Sequence, residues 1–147
     1  MPTFARPSAD ANNPGSYENQ SGGSTNLFQS IDEANPDDTN YITSPNAPAT
    51  AVYVCNLSSV PNPGINTGMI LFARMRKDPG GDANMDMTAE LRQGYVNEGT
   101  QGTLICQLPI TNIDTTFTTY QHNLTTTEAS TISDFSNLFM RFTSNQT

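Results

Sequence analysis

Apolar and polar residues alternate along most of the chain from residue 51 onward. In Ala51-Val-Tyr-Val-Cys-Asn-Leu57, residues Ala51, Tyr53, Cys55 and Leu57 fall on one side, the period-two spacing of a strand with one face in a core. The clearest case is Ala83, Met85, Met87, Ala89 and Leu91, alternating with Asn84, Asp86, Thr88, Glu90 and Arg92. That pattern predicts an antiparallel strand with one face in the core and one in water. Residues 67–76 pass from Met69-Ile-Leu-Phe72 to Arg74 and Arg76, predicting a strand buried at one end and solvated at the other. Leu104, Cys106, Leu108 and Ile110 make a further face, and Pro109 has no N–H for a ladder, so that strand ends there or lies at a sheet edge. Tyr120, His122 and Leu124 share a face; Leu138, Met140 and Phe142 oppose Phe139 and Arg141. Between these two segments, Thr125-Thr-Thr-Glu128 has the spacing of a capping box and predicts a short helix to about Ile132.

Turn residues punctuate the strands: Pro61-Asn-Pro-Gly64, the stretch from Gly94 to Gly102, and Lys77-Asp-Pro-Gly-Gly-Asp82, which reads as a hairpin-type connection. Some seven or eight short strands with no sustained helical period predict an all-β fold, an antiparallel β-sandwich of jelly-roll-like form. One short helix precedes its last strand. Residues 1–26 differ from the rest: Asn12-Asn-Pro-Gly-Ser16 and Gln20-Ser-Gly-Gly-Ser-Thr25 are turn chemistry. With Phe4 and Tyr17 as its only large apolar residues, this segment cannot build a core. It is expected to be an extended arm, laid across the domain or reaching a neighbour, with residues 27–147 forming one sandwich domain.

At 147 residues the chain suits one domain; its 35% apolar and 14% charged residues fit an all-β domain with polar loops more than a disordered acidic tail. A net charge of −8 argues against nucleic acid and anionic membranes as partners. The start, Met1-Pro-Thr-Phe-Ala-Arg-Pro7, lacks an apolar signal region, so synthesis and residence in a cytoplasm are expected, with Cys55 and Cys106 reduced and buried, a bridge between adjacent strands being the alternative. The acidic loop Asp32, Glu33, Asp37, Asp38 and Asn40 clusters oxygen atoms and is a weak candidate for calcium. It lacks the EF-hand spacing and reads better as a solvated loop with capped turns. The single histidine, His122, is expected to be half-buried and hydrogen-bonded. There is no GxSxG, Walker or GxGxxG motif, and neither an enzyme nor a cofactor is expected.

Several blocks together resemble small structural proteins of tailed bacteriophages. They are Phe4-Ala-Arg-Pro-Ser-Ala-Asp10, Leu27-Phe-Gln-Ser-Ile-Asp-Glu33, Pro36-Asp-Asp-Thr-Asn-Tyr-Ile42, Pro63-Gly-Ile-Asn-Thr-Gly68 and the closing run from Leu124 to Phe142. The resemblance implies a jelly-roll-like virion protein, made in the host cytoplasm and carried on the particle. A capsid decoration, or cement, protein is the expectation, with the major capsid protein as partner and copies of the chain meeting on the lattice. The partner-binding residues would be Phe4, Arg6 and Tyr17 of the arm, and deletion of residues 1–20 is expected to leave the sandwich folded. The alternatives are a tail or neck component, or a carbohydrate-binding module using Tyr17, Tyr41 or Tyr95 as a stacking ring.

Overall fold

The structure, a computed structural model, describes residues 2–81 and 83–147. Its strands are β1 (Pro7–Asn12), β2 (Glu18–Asn19), β3 (Ile42–Thr43), β4 (Ala51–Leu57), β5 (Ile70–Met75), β6 (Met85–Gln93), β7 (Thr103–Ile110), β8 (Thr118–Asn123) and β9 (Leu138–Gln146). A 3-10 turn spans Leu27–Ser30 and helix α1 spans Thr126–Thr131. The chain is thus all-β, with antiparallel pairing throughout the described strands. One sheet has five strands in the order β1-β4-β9-β6-β7; β2 pairs β3, and β5 pairs β8.

The core lies between the five-stranded sheet and a second layer made by β5–β8, the 3-10 turn and α1. Tyr53, Cys55, Ala89, Leu91, Cys106 and Met140 from the large sheet meet Leu71, Ala73, Met75, Leu124, Ala129 and Leu27. Each fully buried side chain of leucine size contributes roughly 1.5–3 kcal/mol of transfer free energy. The alternation of β4 and β6 selects the inward residues as expected, and α1 carries the predicted capping box. Thr125 Oγ1 accepts from the Glu128 N–H at 3.1 Å, and the Glu128 carboxylate accepts from the Thr125 N–H at 2.8 Å.

Four expectations need correcting. Residues 70–75 alternate along their whole length, with Leu71, Ala73 and Met75 inward and Ile70, Phe72 and Arg74 outward, because only one face of the β5–β8 ribbon packs on the core. The 77–82 connection, which includes Asp82 outside the described residues, is no hairpin: β5 pairs with β8, while β6 pairs with β7 and β9, so the chain crosses between layers there. In β7 the register slips between Leu91↔Cys106 and Arg92↔Leu104. This bulge makes Ile105 the extra residue, so Ile105 is buried beside Cys106 while Leu104 turns out. β7 is an edge strand, where Pro109 costs no ladder bond.

The fourth correction concerns residues 1–26. Of the two placements left open, across the domain or toward a neighbour, the segment lies on the domain, as part of its sheet and core: residues 7–12 form the edge strand β1 on β4, and Tyr17 is only 2% exposed. Its hydroxyl donates to Ser144 Oγ at 2.7 Å and its ring centroid lies 5.9 Å from that of Tyr53. Burial pushes the Tyr17 hydroxyl up to about 12, the Ser144 bond opposing this in part. Asp10 accepts from Tyr53 Oη at 2.8 Å and from the N–H groups of Leu27 and Phe28, both at 2.9 Å, joining β1, β4 and the 3-10 turn. Gly15 permits the close crossing: a Cβ there would stand 2.3 Å from the Val52 nitrogen. Tyr17 is therefore core, unavailable to a partner, because its ring is buried in the main apolar cluster beside Tyr53.

Two stability predictions follow from this end of the fold. Tyr17→Phe leaves the buried Ser144 hydroxyl without its partner and should cost about 1–3 kcal/mol, read from the midpoint of urea unfolding. Deletion of residues 1–20 should abolish the cooperative transition; an unchanged midpoint would show that the segment is not part of the folded unit.

Candidate functional site

Three places could serve a function: the amino-terminal tip, the acidic loop, and the outer face of the large sheet. At the tip, the Arg6 N–H donates to Ser58 Oγ at 3.0 Å and the Arg6 carbonyl accepts from the Ser58 N–H at 2.7 Å. This clamps the chain to the end of β4 just before β1 begins. Phe4, two residues earlier, is 56% exposed, and the Arg6 guanidinium lies 5.2 Å from its ring centroid, within cation–π range. An exposed aromatic ring and a half-buried guanidinium are thus held together beside a fixed anchor, residue types enriched in protein interfaces. Of the three arm residues singled out from sequence, the structure brings Phe4 and Arg6 together and separates Tyr17 from them.

In the acidic loop the oxygens are turned to other tasks. Asp38 takes a bidentate hydrogen bond from Arg74, at 2.7 and 2.6 Å, and the guanidinium lowers its carboxyl below the ordinary value. Asp37 caps its own turn by accepting from the N–H and hydroxyl of Thr39 at 2.9 and 2.7 Å. Asn40 donates to Glu33 and accepts from Gln20 Nε2 at 3.0 Å. Among the described residues no three acidic, histidine or cysteine side chains gather as metal ligands. The five candidates do not converge, because two of the carboxylates already serve Arg74 and Thr39.

The outer face of the large sheet is where sequence reasoning missed most. Residues 94–102, between β6 and β7, fold back over this face and bury Tyr95 against Val52, Val54 and Phe139. Gly102 makes the fold-back possible: its φ is +69° and a Cβ would stand 2.2 Å from the Gln93 carbonyl oxygen. Under this strap Arg141 donates to Glu98 Oε1 and Oε2 at 3.1 and 2.6 Å, to Glu90 Oε2 at 3.2 Å and to Thr143 Oγ1 at 2.9 Å. Arg92 donates to the same Glu90 oxygen at 2.8 Å. Tyr95 Oη donates to Glu98 and accepts from Asn12 Nδ2, both at 2.9 Å, so the strap also holds β1. Glu90 and Arg92, expected in water, are instead enclosed. The alternation was readable, but the strap lying over its polar side was not.

The groups with chemical potential are engaged elsewhere. His122 is half-buried, its Nε2 2.9 Å from Glu128 Oε2, and that contact first, then the Thr125 N–H, lowers the Glu128 carboxyl. Burial pushes the thiols of Cys55 and Cys106 up to about 12, far from the thiolate form that reactivity needs. Both are free cysteines. Two open hollows, of about 450 Å³ beside Asn13, Ser16, Glu18 and Ser24 and about 380 Å³ beside Lys77, Asn112, Asp114 and Tyr120, have mainly polar walls. Of the three tyrosines considered as sugar platforms, Tyr17 and Tyr95 are buried and Tyr41 packs on Phe117 with centroids 6.0 Å apart.

No protein-family profile, curated protein or solved structure matches the chain.

The charge network predicts a pH dependence. The Arg141 hydrogen bonds hold the Glu98 carboxyl below its ordinary value. A carboxyl with a depressed folded-state value adds stability above its unfolded value, lost as pH falls through the folded one. Unfolding free energy should therefore drop on acidification below the carboxylate range, and Glu98→Gln should flatten that drop. Arg141→Lys, which cannot reproduce the planar fork, should cost about 1–3 kcal/mol at neutral pH by chemical denaturation.

Proposed function

We propose that this chain is a structural protein of a tailed-phage virion, a decoration protein that seats on the outer surface of the head and stabilises the lattice of the major capsid protein. The observation that carries the reading is the amino-terminal tip: Phe4 and Arg6 project together from a clamp on β4, an outward anchor on a rigid body. It joins the phage-like blocks of the sequence, two of which supply that anchor: Phe4 to Asp10 and the stretch from Leu27. Asp10 hydrogen-bonds the N–H groups of Leu27 and Phe28, so the two blocks meet in space. The sandwich is read as jelly-roll-like in this proposal.

A surface with a net charge of −8 keeps many copies soluble and mutually repelled until a lattice site captures them. The arm hypothesis thereby narrows. The contact is the tip before β1, with the remainder of residues 1–26 holding it in place. Seating on a tail or neck would use the same tip with fewer sites. The carbohydrate-binding alternative gains nothing from the buried or packed tyrosines.

The test is co-sedimentation with expanded, emptied heads of the parent particle. Wild-type protein should pellet with the heads to saturation. Phe4→Ser combined with Arg6→Ser should reduce the bound fraction about tenfold or more while leaving the unfolding midpoint unchanged. Undiminished binding by the double variant would overturn the assignment of the tip, and no binding by the wild type would overturn the decoration reading.

A further inference from the structure

Residues 94–102 leave the β6–β7 ladder immediately after its last pair, Gln93↔Thr103. Both residues that adjoin this pair are glycines with positive φ, Gly94 at +73° and Gly102 at +69°, so two pivots stand side by side at the base of the strap. Inside the strap, the N–H groups of Val96, Asn97, Gly99 and Thr100 all donate to oxygens of Asn97 or Thr100. The turn thus holds its own backbone bonds without help from the sheet. At the hinge the Gly94 N–H donates to the Asn137 carbonyl. Beyond that bond, among the described residues, two side chains carry the strap's hydrogen bonds to the sheet: Tyr95 accepts from Asn12, and Glu98 accepts from Arg141. The apolar patch beneath, Val52, Val54, Tyr95 and Phe139, is separate from the main core.

We infer that residues 94–102 are a hinged flap, latched by Glu98, that lifts from the outer face of the large sheet as one unit while the two-layer core stays folded. The sheet keeps its charges paired when the flap leaves: Arg141 retains Glu90 and Thr143, and Arg92 retains Glu90. The charged and titratable groups around Glu98 are Arg141 of β9, Arg92 and Glu90 of β6, and the Tyr95 hydroxyl of the strap. Val52 and Val54 of β4 and Asn12 of β1 do not titrate. Arg141 holds the Glu98 carboxyl below its ordinary value, so its ionised form favours closure, and that contribution is lost as pH falls through the closed-state value. Opening uncovers Val52, Val54 and Phe139 and frees Asn12, which removes the outer hold on β1. The flap is independent of the capsid reading.

Thiol labelling of Val54→Cys tests the flap, because Val54 is fully buried in the patch the strap covers and the buried native Cys55 and Cys106 report on the core. A pyridyl disulfide reagent at neutral pH should modify the introduced thiol while Cys55 and Cys106 stay unmodified. Adding Glu98→Gln should speed that modification about tenfold without exposing the native thiols. With Glu98 in place, the rate relative to a free thiol should rise as pH falls below about 4; with Glu98→Gln it should stay flat. Val52→Cys, in the same patch, repeats the measurement should Val54→Cys shift the unfolding midpoint. Modification of the introduced thiol no faster than of Cys55 and Cys106 would show that the patch opens only by global unfolding. An unchanged rate in Glu98→Gln, or an acid rise that persists there, would remove Glu98 as the latch. Any of these results overturns the inference.

Discussion

The buried hydroxyl pair of Tyr17 and Ser144 is the constraint around which the rest of the molecule is arranged. The two residues are 127 positions apart, one on the amino-terminal segment and one on β9, the middle strand of the large sheet. Both residues are buried, and besides the longer contact of Tyr17 Oη with the Ala51 carbonyl at 3.4 Å the short bond to Ser144 is what satisfies the pair; losing it carries the cost of an unmade hydrogen bond. That requirement places Tyr17 against Tyr53 and holds the chain where Gly15 can cross β4. It also sets β1 on the sheet edge, with Asp10 within reach of Tyr53 and the 3-10 turn. Because the centre of the sheet is its last strand, the fold closes only when both ends of the chain are in place, a topology of distant contacts that folds slowly.

The large sheet is buried on both sides by different means. Its inner face follows ordinary apolar packing. Its outer face is covered by the strap of residues 94–102, which encloses a small apolar patch and the Arg141, Glu90, Glu98 and Arg92 network. Such a network contributes little net stability relative to apolar residues of the same shape, but losing one member is costly because the others stay buried. Through Tyr95 and Asn12 the network reaches β1, so the strand that carries the amino-terminal tip is secured from both faces of the sheet.

Local signals in the sequence were reliable where local physics decides the outcome. The inward residues of β4 and β6 follow from alternation, and α1 follows from Thr125 and Glu128 alone. What escaped was set by distant partners. β1, with Pro7, Ser8, Asp10 and Asn12, has the composition of a loop; it is a strand because β4 offers an open edge and Asp10 finds three donors there. The exchange of Leu104 for Ile105 in the core comes from a bulge invisible in a period-two reading. Crossing of the chain from β5 to the opposite layer depends on which strands pair, and a Pro-Gly-Gly turn is compatible with either outcome. At the candidate site, Phe4 and Arg6 were legible as a sparse pair in a polar segment. Tyr17 carried no mark distinguishing a docking ring from a core ring; the acidic loop, read chiefly as a solvated loop with capped turns, has such a turn at Asp37 and Thr39, while the Arg74 partner of Asp38 was not readable from spacing.

In the proposed role, an all-β domain that presents an aromatic ring and a guanidinium just ahead of its edge strand would seat repeatedly on a regular surface, its acidity keeping free copies apart until then. Repetition over the lattice is the core of that role. The most direct measurement is the copy number of the chain in purified particles, by quantitative mass spectrometry against the major capsid protein. Lattice-wide decoration predicts a fixed ratio to the capsid subunits, constant between preparations and amounting to on the order of hundreds of copies per head. A number matching a single ring at the portal or tail, or absence from the particle, would contradict it.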